Sequence, residues 1–209
     1  MTRFVDAVVD PAGACAAAAD ELRSGGLVMV PTETVYGLAA LSSLDGAVDA
    51  IFKRKGRPQD QPVALLVADV DQARALVEAE PSFDLLAIAY WPGPLTLVAP
   101  RRAGFRDRLG GNDLTVGLRC PDHDLVRAIA AEVGPLAVTS ANRAGEPTEV
   151  DARSASEALG GDLLVVDGGR CTGTPSTVVD LTTRPARLLR TGAITRDALI
   201  GAGLLLGDG

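Results

Sequence analysis

The sequence predicts an α/β fold in which a mixed sheet, parallel and antiparallel, is flanked by helices. Three observations carry that expectation. Apolar runs of four or five residues, the length of buried strands, recur between segments with helical patterning. Several of these runs follow one another with no helix between them, so a purely parallel sheet is not expected. The chain has 209 residues, 47% of them hydrophobic, with no internal repeat and no linker-like stretch, so a single domain over 1–209 is the simplest organisation.

Each element has a local reason. Residues 12–24 are an alanine-rich helix stopped by Gly25-Gly26. Residues 27–30 are an apolar strand ended by Pro31. Asp45 is placed to cap a helix that runs to about Phe52. Residues 63–67 are a fully apolar strand, and 69–78 and 82–90 read as helices. Trp91-Pro92-Gly93-Pro94 is a rigid turn into a strand at 95–99. A strand at 114–118 precedes a helix at 122–133. A strand at 136–139 runs into Ser140-Ala141-Asn142. A helix near 153–159 leads to a strand at 163–166, strands at 177–181 and 187–189 pair, and a short helix at 195–201 follows. Aromatics are only 3%, so the core is Leu, Val, Ala and Ile.

Bulk properties exclude several classes. A net charge of −7 argues against a general nucleic-acid coat protein, and Arg101, Arg102, Arg106 and Arg108 read as a solvated loop. Cys15, Cys120 and Cys171 are too scattered for a disulfide framework or a metal site, and are read as reduced. The single histidine, His123, cannot make a two-histidine zinc site, and its place in Pro121-Asp122-His123-Asp124 suggests a surface role at a helix start. Asp6, Asp10 and Asp20 interrupt the apolar stretches that a leader would need, and no run approaches the roughly 18 apolar residues of a membrane span. The expected location is cytoplasmic.

In open α/β sheets ligands gather where strands end. Thr32, Thr34 and Tyr36 follow the strand at 27–30. The only two lysines, Lys53 and Lys55, stand together with Arg57 in a segment read as one polar loop. Arg119, then Ser140 and Asn142, then Ser176, then Arg190 mark later strand ends. This set is rich in cations and hydroxyls and poor in bases. It suits an anionic ligand, with Lys and Arg on phosphate, Arg on carboxylate and hydroxyls fixing orientation. It does not suit hydrolysis, which calls for a positioned base or a metal. The glycine-rich stretch at 167–173 lacks the Lys-Ser/Thr of a phosphate-binding loop. Glu33, the obvious acid, either acts in the site or holds the backbone of its own turn.

Seven segments, in order, resemble the YrdC-like family of threonylcarbamoyl-AMP synthases. They are Pro31-Thr32-Glu33-Thr34-Val35-Tyr36-Gly37-Leu38, Lys55-Gly56-Arg57-Pro58, Trp91-Pro92-Gly93-Pro94-Leu95-Thr96, Val116-Gly117-Leu118-Arg119, Ser140-Ala141-Asn142, Ser176-Thr177-Val178-Val179-Asp180 and Leu189-Arg190-Thr191-Gly192-Ala193-Ile194. The resemblance implies a twisted sheet with a concave, cation-lined cavity. It also implies a reaction, in which L-threonine, bicarbonate or CO2, and ATP give threonylcarbamoyl-AMP and pyrophosphate. A separate tRNA threonylcarbamoyl transferase complex then uses the product, and a weak direct contact with tRNA is conceivable within the same family.

By the same resemblance, Lys55 and Arg57 are the catalytic cations. Lys55, Gln59, Thr115, Ser140, Asn142, Thr148 and Arg190 bind ATP, and Thr32, Tyr36, Arg119 and Ser176 hold threonine. Magnesium is expected to come with ATP and to need no protein ligand. The site charges are expected to face a solvent-filled cavity, so that removing them costs little stability.

The chain departs from the family in places. Many relatives have a histidine in the strand at 63–67, which this chain lacks; Ala144 stands where serine is common, and Thr191 where proline often follows the arginine. An end at Gly209 resembles the short form of the family. Two alternatives differ in class: a carbamoyl adenylation of the kind used in hydrogenase maturation, and a non-catalytic paralogue that binds double-stranded RNA or tRNA.

Overall fold

One ten-stranded sheet organises residues 1–143 and 145–207, which are those the computed structural model describes. Ala144, one of the departures noted above, lies outside them. In chain order the elements are β1 (Arg3–Asp6), α1 (Pro11–Arg23), β2 (Val28–Val30), β3 (Gly37–Leu41), α2 (Ala47–Lys55), β4 (Ala64–Leu66), α3 (Val70–Arg74), α4 (Pro81–Tyr90), β5 (Leu95–Pro100), β6 (Thr115–Arg119), α5 (Asp124–Val133), β7 (Leu136–Ser140), α6 (Ala152–Leu159), β8 (Leu164–Asp167), β9 (Thr177–Asp180), β10 (Arg187–Arg190) and α7 (Arg196–Gly201). The strand order is β1-β8-β2-β3-β7-β4-β6-β5-β9-β10. Pairs β1/β8, β2/β8, β4/β6 and β5/β9 are parallel and the rest antiparallel, so the sheet is mixed as expected.

Local chemistry explains most boundaries. Asp10 caps α1 by accepting from the Gly13 N–H at 2.9 Å, and Pro11 supplies a preset φ at the first position. Asp69 and Asp151 cap α3 and α6 in the same way. Helix α2 differs from expectation at both ends. Its N-cap is Gly46, with a φ of 77° and no side-chain bond, so Asp45 is not the cap. It ends at Gly56, whose φ of 61° suits glycine, and Lys53, Arg54 and Lys55 form its last turn rather than a loop. Helix α3 is shorter than the predicted 69–78, because the chain turns away and Val77 bridges to Arg101.

Two strands escape the sequence reading. Strand β1 is an edge strand whose Arg-Phe-Val-Asp has no clear alternation. Strand β3 is a run of small and apolar residues directly behind a polar turn, yet all five of its residues are buried. A Cβ added at Gly37 would lie 2.6 Å from Val138 Cγ1, so β3 and β7 meet there at glycine distance.

The core has two sides. On one face Met29, Leu38, Leu65, Leu118 and Val165 pack against α2, α4, α6 and α7. On the other face Val28, Ala39, Leu66, Leu136 and Leu164 pack beneath α1 and α5 only. Those two helices cover the β8-β2-β3-β7-β4 side. The β6-β5-β9 part of that face has no helix on it, and there a cavity opens. No helix of the described residues is long and apolar enough to cross a membrane.

Leu118 is fully buried near the middle of the sheet, on the face opposite the cavity. Leu118→Ala is expected to destabilise the fold by about 2–5 kcal/mol in urea denaturation, the range for emptying a packed leucine site.

Candidate functional site

The cavity has a volume of about 480 Å³. Strand alternation builds its floor. Gly37 of β3, Ala64 and Leu66 of β4, Thr96 and Val98 of β5, Thr115, Gly117 and Arg119 of β6, Val138 and Ser140 of β7 and Val178 of β9 all point to the face that α1 and α5 cover only in part. The rim comes from loops and strand ends: Thr32, Arg57, Thr148, Ser176 and Arg190.

Eight sequence-predicted site residues therefore line one hollow: Thr32, Arg57, Thr115, Arg119, Ser140, Thr148, Ser176 and Arg190. Four do not. Lys55 lies behind the wall, 6% exposed, and its ammonium donates to the Ser140 carbonyl, to Ser140 Oγ at 3.5 Å and to Asn142 Oδ1 at 3.3 Å. Asn142 is buried beside it and donates to the Glu146 carbonyl. Tyr36 is buried, and its hydroxyl donates to the Gly169 carbonyl at 2.7 Å and accepts from the Gly168 N–H at 3.3 Å. It pins the glycine-rich loop to β3, and burial drives its pKa far above the usual phenol value. Gln59 is exposed, and its backbone carbonyl takes the Gly111 N–H at 2.7 Å.

The pairing of the two lysines has a helical explanation. Positions two apart on α2 point in different directions, so Lys55 turns inward while Lys53 stays exposed. Burial, then the nearby Arg57 charge, pull the Lys55 pKa down to about 8. Its partners are neutral acceptors, with no carboxylate among them.

The other cations are held as tightly. Arg57 donates to the Gln61 and Pro62 carbonyls at 2.9 and 3.1 Å. Arg190 donates from Nε to the Ser176 carbonyl and from Nη2 to Ser176 Oγ, both at 3.0 Å. Burial, and then the charge of Arg119, lower the Arg190 pKa. Ser176 Oγ also meets Thr96 Oγ1 at 2.9 Å. Arg119 donates from Nε to the Gly93 carbonyl at 3.1 Å, and its Nη2 lies 2.7 Å from Glu33 Oε2. The expectation that the site charges are solvent-exposed is thus wrong for Lys55 and Arg119, each 6% exposed.

The hydroxyls are organised as well. Thr32 Oγ1 donates to the Val35 carbonyl at 2.6 Å, accepts from the Val35 N–H at 3.1 Å, and lies 2.9 Å from Thr34 Oγ1. That turn is the polar 31–36 stretch, closed on itself.

Three further readings change. Glu33 binds Arg119 by charge rather than holding its own turn through its side chain. Arg101 is not solvated: its guanidinium is buried, donates to the carbonyls of Thr115 (2.8 Å), Asp107 (2.9 Å) and Asn112 (3.4 Å), and lies over the Phe105 ring. Arg102, Arg106 and Arg108 are exposed as expected. His123 is half-buried, its Nδ1 is sealed without a partner, and burial lowers its pKa.

Among the described residues no Asp or Glu lines the cavity, and there is no group of three His, Cys, Asp or Glu suited to a metal. What the hollow offers is positive charge, fixed hydroxyls and an apolar floor. That combination neutralises and orients an anion with an apolar body.

A family model named Sua5_yciO_yrdC and described as "Telomere recombination" matches residues 20–192. The threonylcarbamoyl-AMP synthase of Pyrococcus abyssi is 40% identical over 181 residues, 85% of this chain and 53% of that protein. The threonylcarbamoyl-AMP synthase of Bacillus subtilis is 38% identical over 189 residues, 88% of this chain and 55% of that protein. The chain thus spans about half the length of these relatives. The crystal structure of P. abyssi Sua5 complexed with L-threonine superposes with a TM-score of 0.87 at 34% identity, over 99% of this chain and 62% of that one.

Burial separates two arginines of the cavity. Arg119→Ala strands the Glu33 carboxylate and is expected to cost about 3–5 kcal/mol, whereas the more exposed Arg190→Ala is expected to cost under about 1 kcal/mol. Thermal and urea denaturation of both variants measure the difference.

Proposed function

The chain belongs to the Sua5/YciO/YrdC family, and on that premise we propose that it is an L-threonylcarbamoyladenylate synthase. It takes L-threonine, bicarbonate or CO2, and ATP, and forms threonylcarbamoyl-AMP and pyrophosphate. The observation that carries the reading is the convergence of Thr32, Arg57, Thr115, Arg119, Ser140, Thr148, Ser176 and Arg190, from separate segments, on one cavity.

The chemistry fits these residues. Threonine's amine takes up CO2 to become a carbamate, losing a proton. A carbamate oxygen attacks the α-phosphorus of ATP, the bond to the β-phosphate oxygen breaks, and pyrophosphate leaves with that electron pair. The protein's part in such a transfer is mainly positioning and charge neutralisation. Arg119 takes the threonine carboxylate, with Thr32 and Ser176 beside it. Arg57 and Arg190 face the phosphates from the rim. Lys55, behind Ser140, adds positive potential and reaches a phosphate if it leaves its Ser140 and Asn142 acceptors. Thr115, Ser140 and Thr148 line the nucleotide side. Among the described residues no carboxylate lines the cavity, so magnesium, if it came with ATP, would be held by the phosphates and water. The product serves a tRNA threonylcarbamoyl transferase complex, and the activity is placed in the cytoplasm with ATP and tRNA.

Pyrophosphate release from ATP in bicarbonate buffer tests the reading. Release is expected with L-threonine and not with serine or glycine, and Arg190→Ala is expected to suppress it while remaining folded. No release with threonine sinks the assignment.

Lys55 gives a pH dependence. Its folded pKa of about 8 lies below its ordinary value of 10.5, so the folded state disfavours the charge. That penalty is fully present below about 8 and is relieved as pH rises toward 10.5, so through this group folding stability rises across the window. Nucleotide binding has the opposite sign, because it uses the ammonium. The KM for ATP is expected to climb above about pH 8 in the wild type. In Lys55→Arg, whose guanidinium keeps its proton, that climb is expected to vanish.

A further inference from the structure

We propose that Glu33 is the counter-ion that sets Arg119 for a carboxylate, a positioning residue for the amino-acid half of the cavity. The inference rests on the functional reading above and adds a residue that it leaves without a role.

Arg119 lines the cavity but is 6% exposed, so its charge is largely dry. A second guanidinium, that of Arg190, lines the same cavity, and its pKa is lowered by burial and then by the Arg119 charge. Like charges in one cavity repel, and a buried cation such as Arg119 is costly without compensation. Among the described residues no carboxylate lines the cavity, and the one acid in ion-pair contact with any of Arg57, Arg119 and Arg190 is Glu33. The Glu33 charge therefore makes a docked Arg119 tolerable while the site is empty.

The geometry of the pair adds a second point. Glu33 Oε2 and Arg119 Nη2 approach to 2.7 Å, yet both carboxylate oxygens and Nη2 lack an aligned hydrogen bond. All three of those atoms are sealed from solvent, so Nη2 is committed to Glu33, while Nε donates to the Gly93 carbonyl and Nη1 makes no hydrogen bond among the described residues. An arginine already locked in a two-pronged bond to Glu33 would have less to offer a ligand. This one keeps Nη1 for an incoming carboxylate. Glu33 itself cannot drift, because its carbonyl takes the Thr172 N–H at 3.2 Å and the Thr32 hydroxyl closes the turn beneath it. Burial lowers the pKa of His123, and the Glu33 charge acts against that shift.

Glu33→Gln keeps the shape and removes the charge, and Glu33→Asp keeps the charge. Threonine-dependent pyrophosphate release gives the KM for each substrate, and calorimetry gives the affinity for ATP alone. In Glu33→Gln the threonine KM is expected to rise about tenfold while ATP affinity stays within about twofold, and Glu33→Asp is expected to recover most of the threonine KM. An unchanged threonine KM in an active Glu33→Gln overturns the inference alone. So does a lower one, which would make Glu33 a competitor for Arg119. An equal loss for threonine and ATP that Glu33→Asp does not rescue marks a purely structural residue and also overturns it. A wild-type protein that releases no pyrophosphate with threonine removes the functional reading and this inference together.

Discussion

The site exists because one face of the sheet is covered on one side only. Helices α1 and α5 pack over β8, β2, β3, β7 and β4 and stop there. Beyond them the period-two alternation of the strands continues, so β6, β5 and β9 send every second side chain into open space. Gly117 leaves room on that floor, and Thr115 and Arg119 flank it on the same strand. The buried half of the face is aliphatic, and the open half is where polar residues enter the pattern. A one-residue slip of β6 against β5 would turn Leu118 into the cavity and Arg119 into the core. The register Leu97 with Leu118 and Val98 with Gly117 is therefore as much a functional constraint as a packing one.

Electrostatics then give the hollow its preference. Arg57, Arg119 and Arg190 line it, Lys55 stands just behind, and the pKa values of Lys55, Arg57 and Arg190 are all lowered, chiefly by burial. Most of their hydrogen bonds go to backbone carbonyls and hydroxyls, which orient a cation without cancelling its charge. The empty site thus holds unfavourable charge that an anion relieves on binding, a gain available only because the fold pins each cation in place beforehand.

Much of this was legible in the sequence, because strand-end chemistry lies close to strands that the apolar pattern reveals. Thr32, Arg119, Ser140 and Ser176 sit beside runs that read correctly as strands. What was illegible depends on direction and distance. Nothing local distinguishes Lys53 from Lys55 until α2 is known to run through both. Arg101 reads as one member of a basic, solvated segment, yet three carbonyls brought together by the folded 101–115 loop make it a buried hub. Strand β3 hides because Gly37, Ala39 and Ala40 carry little strand propensity, and its burial between β2 and β7 is a tertiary fact.

The hydroxyls explain how such a cavity keeps its shape. Thr32 spends its hydroxyl on its own turn, Ser176 on Thr96 and Arg190, and Ser140 on Asn142 and Lys55. Ser140 and Ser176 keep hydrogen-bonding capacity, since a hydroxyl carries two lone pairs and one proton, while Thr32 Oγ1 already receives the Thr34 and Val35 N–H groups. A ligand therefore meets side chains whose rotamers are already fixed, and ordering them costs little on binding. Tyr36 extends the same logic to the backbone by tying the 167–169 segment to the end of β3. Thr34 continues it, its carbonyl receiving the Gly173 N–H just ahead of Ser176. The turn at 32–35 is in this way fastened to the loop that delivers Ser176, and through Ser176 to Arg190. The Thr32 side and the Arg190 side of the cavity are thus parts of one hydrogen-bonded frame.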